Sequence, residues 1–170
     1  EPGPEPEPNN KPKWPDSAEF PGAKEITQRE PGSLWSFYRA LDELHELVSP
    51  NSAVLKVALL GKTKNMPSSL LGLSNEDPFN GFKHNKKSVF LVQVSSSERF
   101  WKFAKITCRR ADAFLVFLTG GEPQADLDYY QRCIDEADPP APERRVVIKL
   151  ITYEKERENV GVPPPAGRRS

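Results

Sequence analysis

The sequence predicts an α/β domain, with a mainly parallel sheet of four or five strands and helices on both faces. Two apolar runs, 89–94 and 113–118, have the length and composition of buried strands. The stretch between them, 98–110, repeats apolar residues at helical spacing. A strand, a helix and a second strand form a βαβ unit, because a parallel strand pair requires a covered crossover.

The prolines divide the chain into a central domain and two ends. Of the 18 prolines among 170 residues, eight lie in residues 1–32, which begin Glu-Pro-Gly-Pro-Glu-Pro-Glu-Pro. This composition favours an extended chain that cannot bury a core of its own. Residues 1–32 are therefore predicted to be a Pro-rich extended arm, either a linker or an arm that docks its aromatic residues on a partner. Residues 156–170 are predicted to be a flexible tail, which leaves 33–155 as the small α/β domain.

The charge balance and the cysteines exclude several classes of protein. Lys plus Arg equals Asp plus Glu at 24 each, so the chain lacks the excess of basic charge with which proteins bind nucleic acid or anionic membranes. No apolar run approaches the roughly 20 residues that a spanning helix needs. Cys108 and Cys133 form no CxxC motif, which argues against a disulfide scaffold and a zinc site. They favour an intracellular, reducing compartment.

The domain is predicted to begin with an added amphipathic helix over 33–49. Ser33 is the predicted N-cap, and Ser49-Pro50 ends the helix because the residue before a proline avoids the α region. The apolar residues of the helix share one stripe: Leu34, Phe37, Tyr38, Leu41, Leu44, Leu47 and Val48.

The remaining elements follow from apolar runs and their boundaries. A first buried strand is predicted over 54–60 and ends at Gly61. The stretch 72–87 contains Asn-Gly and Asp-Pro and is predicted to be a loop. A helix is predicted over 125–137, and a last strand over 145–153.

The turn after the first strand can be compared with the phosphate-binding loop G-x-x-x-x-G-K-S/T. In that loop the glycines let backbone N–H groups close on phosphate, the lysine neutralises charge and the hydroxyl binds Mg²⁺. The corresponding frame runs from Gly61 to Ser68, and Met66 and Pro67 replace its second glycine and its lysine. Proline supplies neither an N–H group nor a cation. The sequence therefore predicts a vestigial phosphate loop that consists of Gly61, Lys62, Lys64 and Ser68.

Four segments resemble the Ras-like small GTPases, and among them the Rab branch most. Residues 55–61 are similar to the first strand of that family, and 68–71 to the start of its first helix. Glu98-Arg99-Phe100 resembles the E-R-F segment of the second switch. Ala111-Asp112-Ala113 follows at the separation at which the family carries its A-D-A segment. The resemblance covers 54–153 and implies a truncated P-loop small-GTPase-like fold.

The chain departs from this family where catalysis takes place. The second-switch motif D-x-x-G-Q falls on 93–97, Gln-Val-Ser-Ser-Ser, and the base-binding N-K-x-D falls near 152–155 without a match. The interval 71–89 is too short for a full first helix, first switch and second strand, and no sequence is left for the family's last strand and two last helices. Because phosphoryl transfer depends on these charged groups, we expect a degenerate domain with no catalytic residue, no metal and no cofactor. The helix over 33–49 is expected to cover the sheet face that the missing C-terminal helix leaves open.

A second resemblance concerns the von Willebrand factor A domains. Segments 89–97 and 118–123 resemble their D-x-S-x-S and T-D-G segments, which bind a divalent cation. Gln93 and Gly120 stand in place of the two aspartates. This resemblance also implies a broken cation site.

The resemblance to small GTPases implies a function in protein–protein interaction. We expect a non-catalytic pseudo-GTPase domain that acts as a subunit or adaptor of a multi-subunit complex. The second switch is the usual partner surface of the family and maps to Glu98, Arg99, Phe100, Trp101 and Phe103. Core packing is an equal alternative for the two phenylalanines, whereas Trp101, on the other side of the helix, is the preferred contact. The alternative function is an atypical GTP- or ATP-binding switch that uses Lys62, Lys64 and Ser68.

Overall fold

Six strands form one sheet within residues 20–48, 51–70, 81–136 and 146–153, which the computed structural model describes. The strands are β1 (Lys24–Gln28), β2 (Val54–Gly61), β3 (Gly81–His84), β4 (Lys87–Gln93), β5 (Ala113–Thr119) and β6 (Val146–Thr152). Their order across the sheet is β1-β6-β5-β2-β4-β3. β3 pairs antiparallel with β4, and every other pair is parallel. The predicted α/β class is confirmed, although the sheet has six strands rather than four or five.

Three helices have both ends in the described residues: α1 (Leu34–Leu47), α2 (Trp101–Arg109) and α3 (Gln124–Asp135). Residues 68–70 are also helical. Short 3₁₀ turns, Thr63–Asn65 and Glu98–Phe100, follow β2 and precede α2. Ser33 caps α1 as predicted, because its Oγ accepts a hydrogen bond from the backbone N–H of Ser36 at 3.2 Å. No helix of the described ranges has the length and apolarity that crossing a membrane would require.

The helices cover both faces of the sheet. α1 buries Phe37, Ala40, Leu41 and Leu44 in a core cluster with inward-facing side chains of β2, β5 and β6. Leu41 and Leu44 are fully buried. The expectation that the helix over 33–49 covers one sheet face is therefore confirmed, and α2 and α3 cover the opposite face.

The predicted boundary at residue 32 is wrong, because the domain includes at least residues 20–32. β1 pairs in parallel with β6, from Lys24 opposite Ile148 to Gln28 opposite Thr152. Phe20 is 2% exposed and belongs to the core under α2 and α3. The rest of the predicted arm, residues 1–19, and the predicted tail, 156–170, lie outside the described residues.

The predicted loop over 72–87 contains a β-hairpin in its described part. β3 and β4 are joined by Asn85 and Lys86, whose φ angles of 49° and 71° are those of a two-residue type I′ turn. The prediction failed because Gly81–His84 carries one large apolar side chain, Phe82, and buries none of its four residues completely.

Candidate functional site

The residues of the predicted vestigial phosphate loop lie at the carboxyl ends of β2 and β5. The chain leaves β2 towards β4 on one side and leaves β5 towards β6 on the other. Such a reversal between adjacent parallel strands forms a crevice, and ligands of open α/β sheets bind there. Gly61 ends β2 and Thr119 ends β5, so this crevice is the first place to look for a site.

Gly61 is required by the sheet itself. Its φ angle is +118°, and a Cβ atom at this position would lie 2.3 Å from the carbonyl oxygen of Phe117 on β5. No side chain fits in that space. The close approach of two strands therefore explains this glycine without reference to phosphate.

The turn that follows uses its own backbone donors. The N–H of Asn65 donates to the carbonyl of Lys62 at 2.9 Å, and the N–H of Met66 donates to the carbonyl of Thr63 at 3.0 Å. The Met66 side chain is buried in the core beneath α1. A phosphate-binding loop needs free N–H groups directed at the ligand, and these two are already engaged.

A carboxylate of the protein occupies the crevice. Oε2 of Glu122 accepts hydrogen bonds from the backbone N–H of Thr119 at 3.0 Å, from Thr119 Oγ1 at 3.1 Å and from Asn65 Nδ2 at 3.2 Å. Its side chain is 3% exposed. Buried carboxylates are stable only when they are paired and hydrogen-bonded, and this one has three donors and a nearby cation.

That cation is Lys62. Its Nζ lies 2.9 Å from Asp126 Oδ2 and 3.7 Å from Glu122 Oε1. The hydrogen bond with Asp126 raises the pKa of Lys62 against the opposing effect of burial. Lys62 is thus neutralised by two carboxylates, while the other predicted loop residues, Lys64 and Ser68, are exposed.

Buried polar groups without partners lie at the same end of the sheet. Gln28, the last residue of β1, is 2% exposed, and both polar atoms of its side chain lack a hydrogen-bond partner in the described part of the chain. The same holds for Oγ1 of Thr152, which lies opposite Gln28 in the register of β1 and β6. Burying such groups lowers the stability of the fold unless a water or a ligand forms hydrogen bonds with them.

The described residues contain no group of three or more His, Cys, Asp or Glu side chains that could hold a metal ion. The two cysteines are buried on α2 and α3 and are not joined in a disulfide. A side-chain hydrogen bond with Cys108 lowers the pKa of Cys133, and burial raises the pKa of the neighbouring Tyr129. Tyr129 donates its hydroxyl to the carbonyl of Ser95 at 3.0 Å, so it has a structural role.

Of the predicted partner-binding residues, Glu98, Arg99, Phe100 and Phe103 are exposed and Trp101 is half-buried. Phe103 is 70% exposed and Phe100 is 41% exposed, so neither is packed in the core. Trp101, the preferred contact, packs against the core under α3, with the Arg132 guanidinium 4.1 Å from its ring centroid. Glu98 pairs with the same arginine at 2.9 Å. Arg99 is exposed and lies over the Phe100 ring, 5.0 Å from its centroid.

Several site residues escaped the sequence analysis. Glu122 and Asn65 meet across 57 residues of sequence, and no motif links them. Ile106 is 52% exposed and extends the apolar surface of α2. Its spacing of three from Phe103 was a usable signal, because residues three apart share a helix face. No protein-family model matches the chain, and no curated protein matches it either.

Proposed function

We propose that this chain is a non-catalytic, GTPase-like interaction domain that acts as a subunit or adaptor in a larger assembly of proteins. The observation that carries the proposal is the Glu122 carboxylate, which occupies the crevice between β2 and β5. This carboxylate accepts hydrogen bonds from Asn65 and Thr119 and is one of the two carboxylates that pair with Lys62. A phosphate group would have to displace a buried anion that already has its partners.

The chemistry of phosphoryl transfer supports the same conclusion. It requires cations and a metal that neutralise the developing charge, together with a group that orients the attacking water. Pro67 stands in place of the loop lysine, and Gln93 stands in place of the aspartate that assists the metal. Each missing group of this kind costs a few kcal/mol of transition-state stabilisation, typically about 3–4 kcal/mol. Together the losses leave the domain without the transition-state stabilisation that catalysed hydrolysis requires.

The exposed face of α2 supports an interaction role. Phe100, Phe103 and Ile106 expose large apolar side chains along 98–106. Contiguous apolar surface on a domain of this size is typical of sites that bind other proteins. The partner surface inferred from the second switch therefore coincides with exposed apolar groups, with Phe103 rather than Trp101 at its centre.

Isothermal titration of the full chain with GTP and Mg²⁺, and separately with ATP and Mg²⁺, tests the non-catalytic half of the proposal. We expect no binding heat with either nucleotide.

Affinity purification of the full chain and of the variant Phe103→Asp tests the interaction half of the proposal. The control variant is Trp35→Asp, because Trp35 is 67% exposed on α1. Phe103→Asp is expected to lose the partners that the unaltered chain and Trp35→Asp retain. Micromolar binding of either nucleotide in the titrations would overturn the proposal.

The alternative, an atypical nucleotide-binding switch, has one observation in its favour. Lys62 still places an ammonium group at the carboxyl edge of β2. This function requires Lys62 to leave Asp126 and Glu122 when a nucleotide binds. The same titrations distinguish the two functions.

A further inference from the structure

A groove separates α2 from strands β2 and β4 on the sheet face that α2 and α3 partly cover. Its volume is about 480 Å³. It is lined by apolar side chains of three elements with basic residues at its margin: Ala58, Phe90, Val92, Ile106, Lys56 and Arg110. A cleft of this size is within the range that accommodates several side chains or a small ligand.

Among the described residues, no helix extends over β4 and β3, which leaves the groove open. The apolar cluster beneath α2 and α3 reaches Val94, just past the end of β4, while Phe90 and Val92 remain half-buried. Gly81 on β3 lies opposite Phe90, and a Cβ atom there would be 3.0 Å from the Phe90 ring and 2.6 Å from the Val89 carbonyl. β3 therefore supplies no side chain at this position that could cover the ring, which forms the floor of the groove.

One wall of the groove continues onto the exposed face of α2. Ile106 lines the groove, and Phe103 lies one turn before it. Their exposed fractions are 52% and 70%. The residues on the opposite side of α2, Ala104 and Cys108, are fully packed against the core. The described core contacts of α2 thus come from Ala104 and Cys108 rather than from the apolar side chains of this wall.

The residues around the groove carry a net positive charge, although the net charge of the whole chain is zero. Segment 98–112 contains five Lys or Arg and two Asp or Glu. Both acidic groups are engaged: Asp112 accepts the backbone N–H of Lys56 at 2.9 Å, and Glu98 pairs with Arg132 at 2.9 Å. Lys56 and Arg110 are exposed at the margin of the groove. Complementary potentials steer partners and select among them.

We propose that this groove binds an acidic segment of a partner protein that inserts large apolar side chains between α2 and β4. The inference rests on the proposed interaction function and names the chemistry of the partner. It does not depend on whether the predicted phosphate loop binds nucleotide. A failed nucleotide prediction and a failed peptide prediction can therefore be told apart.

A library of random peptides displayed on phage and selected on the full chain tests the proposal. Selected sequences are expected to combine Asp and Glu with Leu, Ile or aromatic residues. One selected peptide, labelled with a fluorophore, is then titrated with the full chain and its variants. Ile106→Asp should weaken its binding by about tenfold or more, because truncating or reversing the character of a central apolar contact commonly does so. Leu47→Asp is the matched control, since Leu47 is 45% exposed on α1.

A charge reversal tests the acidic part separately. Lys56→Glu should weaken binding of the acidic peptide, and a version of the peptide with Lys in place of its acidic residues should recover affinity for this variant. Lys56 is exposed, and circular dichroism checks that each variant keeps its fold. Selection of neutral or basic peptides, or equal loss with Leu47→Asp, would overturn the proposal. Self-association of the unaltered chain that Ile106→Asp abolishes would also overturn it, because a second copy would then be the occupant.

Discussion

Asn65 donates a hydrogen bond from Nδ2 to Oε2 of Glu122 at 3.2 Å, and this bond joins the turn after β2 to the loop after β5. Glu122→Ala removes the acceptor of three hydrogen bonds and one of the two carboxylates near Lys62. We expect the free energy of unfolding to fall by about 2–4 kcal/mol, since the donors stay buried without partners. Urea denaturation measures the change.

Asp126→Ala is the control for the loss of a carboxylate near Lys62. Its side chain is 28% exposed, and it forms the shorter ion pair. We expect Asp126→Ala to lower the free energy of unfolding by only about 0.5–1 kcal/mol, because partly solvated ion pairs contribute that much. Added inorganic phosphate should raise the Tm of Glu122→Ala and leave that of the unaltered chain unchanged. If Glu122→Ala and Asp126→Ala lower the free energy of unfolding equally, the buried hydrogen bonds of Glu122 add no stability beyond its ion pair.

Gln28 offers a stabilising substitution. Gln28→Met keeps the length of the side chain and removes two buried polar atoms that have no partner among the described residues. We expect the free energy of unfolding to rise by about 1–2 kcal/mol, because unpaired buried polar groups are costly. The control is Gln124→Met on the exposed surface of α3, which should change little. If Gln28→Met destabilises the protein, a bound water or ligand satisfies the amide.

Tyr153 makes stability sensitive to alkaline pH. Burial and a hydrogen bond of 2.6 Å from its hydroxyl to Glu25 raise the pKa of Tyr153 to about 12, from an ordinary value of 10.0. Because the pKa is raised on folding, the stabilisation is fully present below about pH 10 and is lost as the pH rises towards 12. The raised pKa values of Lys62, Tyr129 and Tyr130 act in the same direction.

The test is Tyr153→Phe, followed by urea denaturation between pH 8 and 12, a range that brackets the ordinary tyrosine pKa of about 10. The variant should be less stable near neutral pH by about 1 kcal/mol, the usual worth of a hydrogen bond. Its stability should also fall less steeply above pH 10. Parallel slopes for the two proteins would contradict the assignment.

The hairpin between β3 and β4 contains a strained lysine. Lys86 has a φ angle of 71°, which glycine adopts freely and other residues adopt at a cost. Lys86→Gly is expected to raise the free energy of unfolding by about 0.5–1 kcal/mol, as an Asn-Gly pair is the preferred type I′ turn. Lys86→Ala removes the same charge and keeps the Cβ atom, so it should give no gain. Equal effects of the two changes on the Tm would refute this explanation.

The long periodic elements were predictable, and the edge strands were not. The βαβ unit and the helix over 33–49 have enough buried positions for their period to be visible. β1 buries only Ile26 and Gln28, and β3 only half-buries Phe82. Edge strands pair on one side and need few apolar residues, so a five-residue strand among prolines gives almost no signal.

The side of α2 that faces the core differs from the prediction. The sequence pattern grouped Phe103 with Ala104 and Cys108, but α2 buries the two small side chains and leaves Phe103 exposed. Trp101, Ala104 and Cys108 face the core, while Phe103 and Ile106 face outward. The Glu122 contact was beyond sequence reasoning because it depends on how two distant loops meet.

The pairing of β1 with β6 has a consequence for how the chain is made. Residue 24 finds its partner only after residue 148 has been synthesised, so this edge of the sheet forms only once residues 24–148 have all left the ribosome. Until then β5 has no neighbour on the side that β6 will occupy, and β1 has no strand to pair with. Any truncation that removes residues 20–28 leaves one side of β6, with its run of Val, Ile and Leu, unpaired and prone to aggregation between chains.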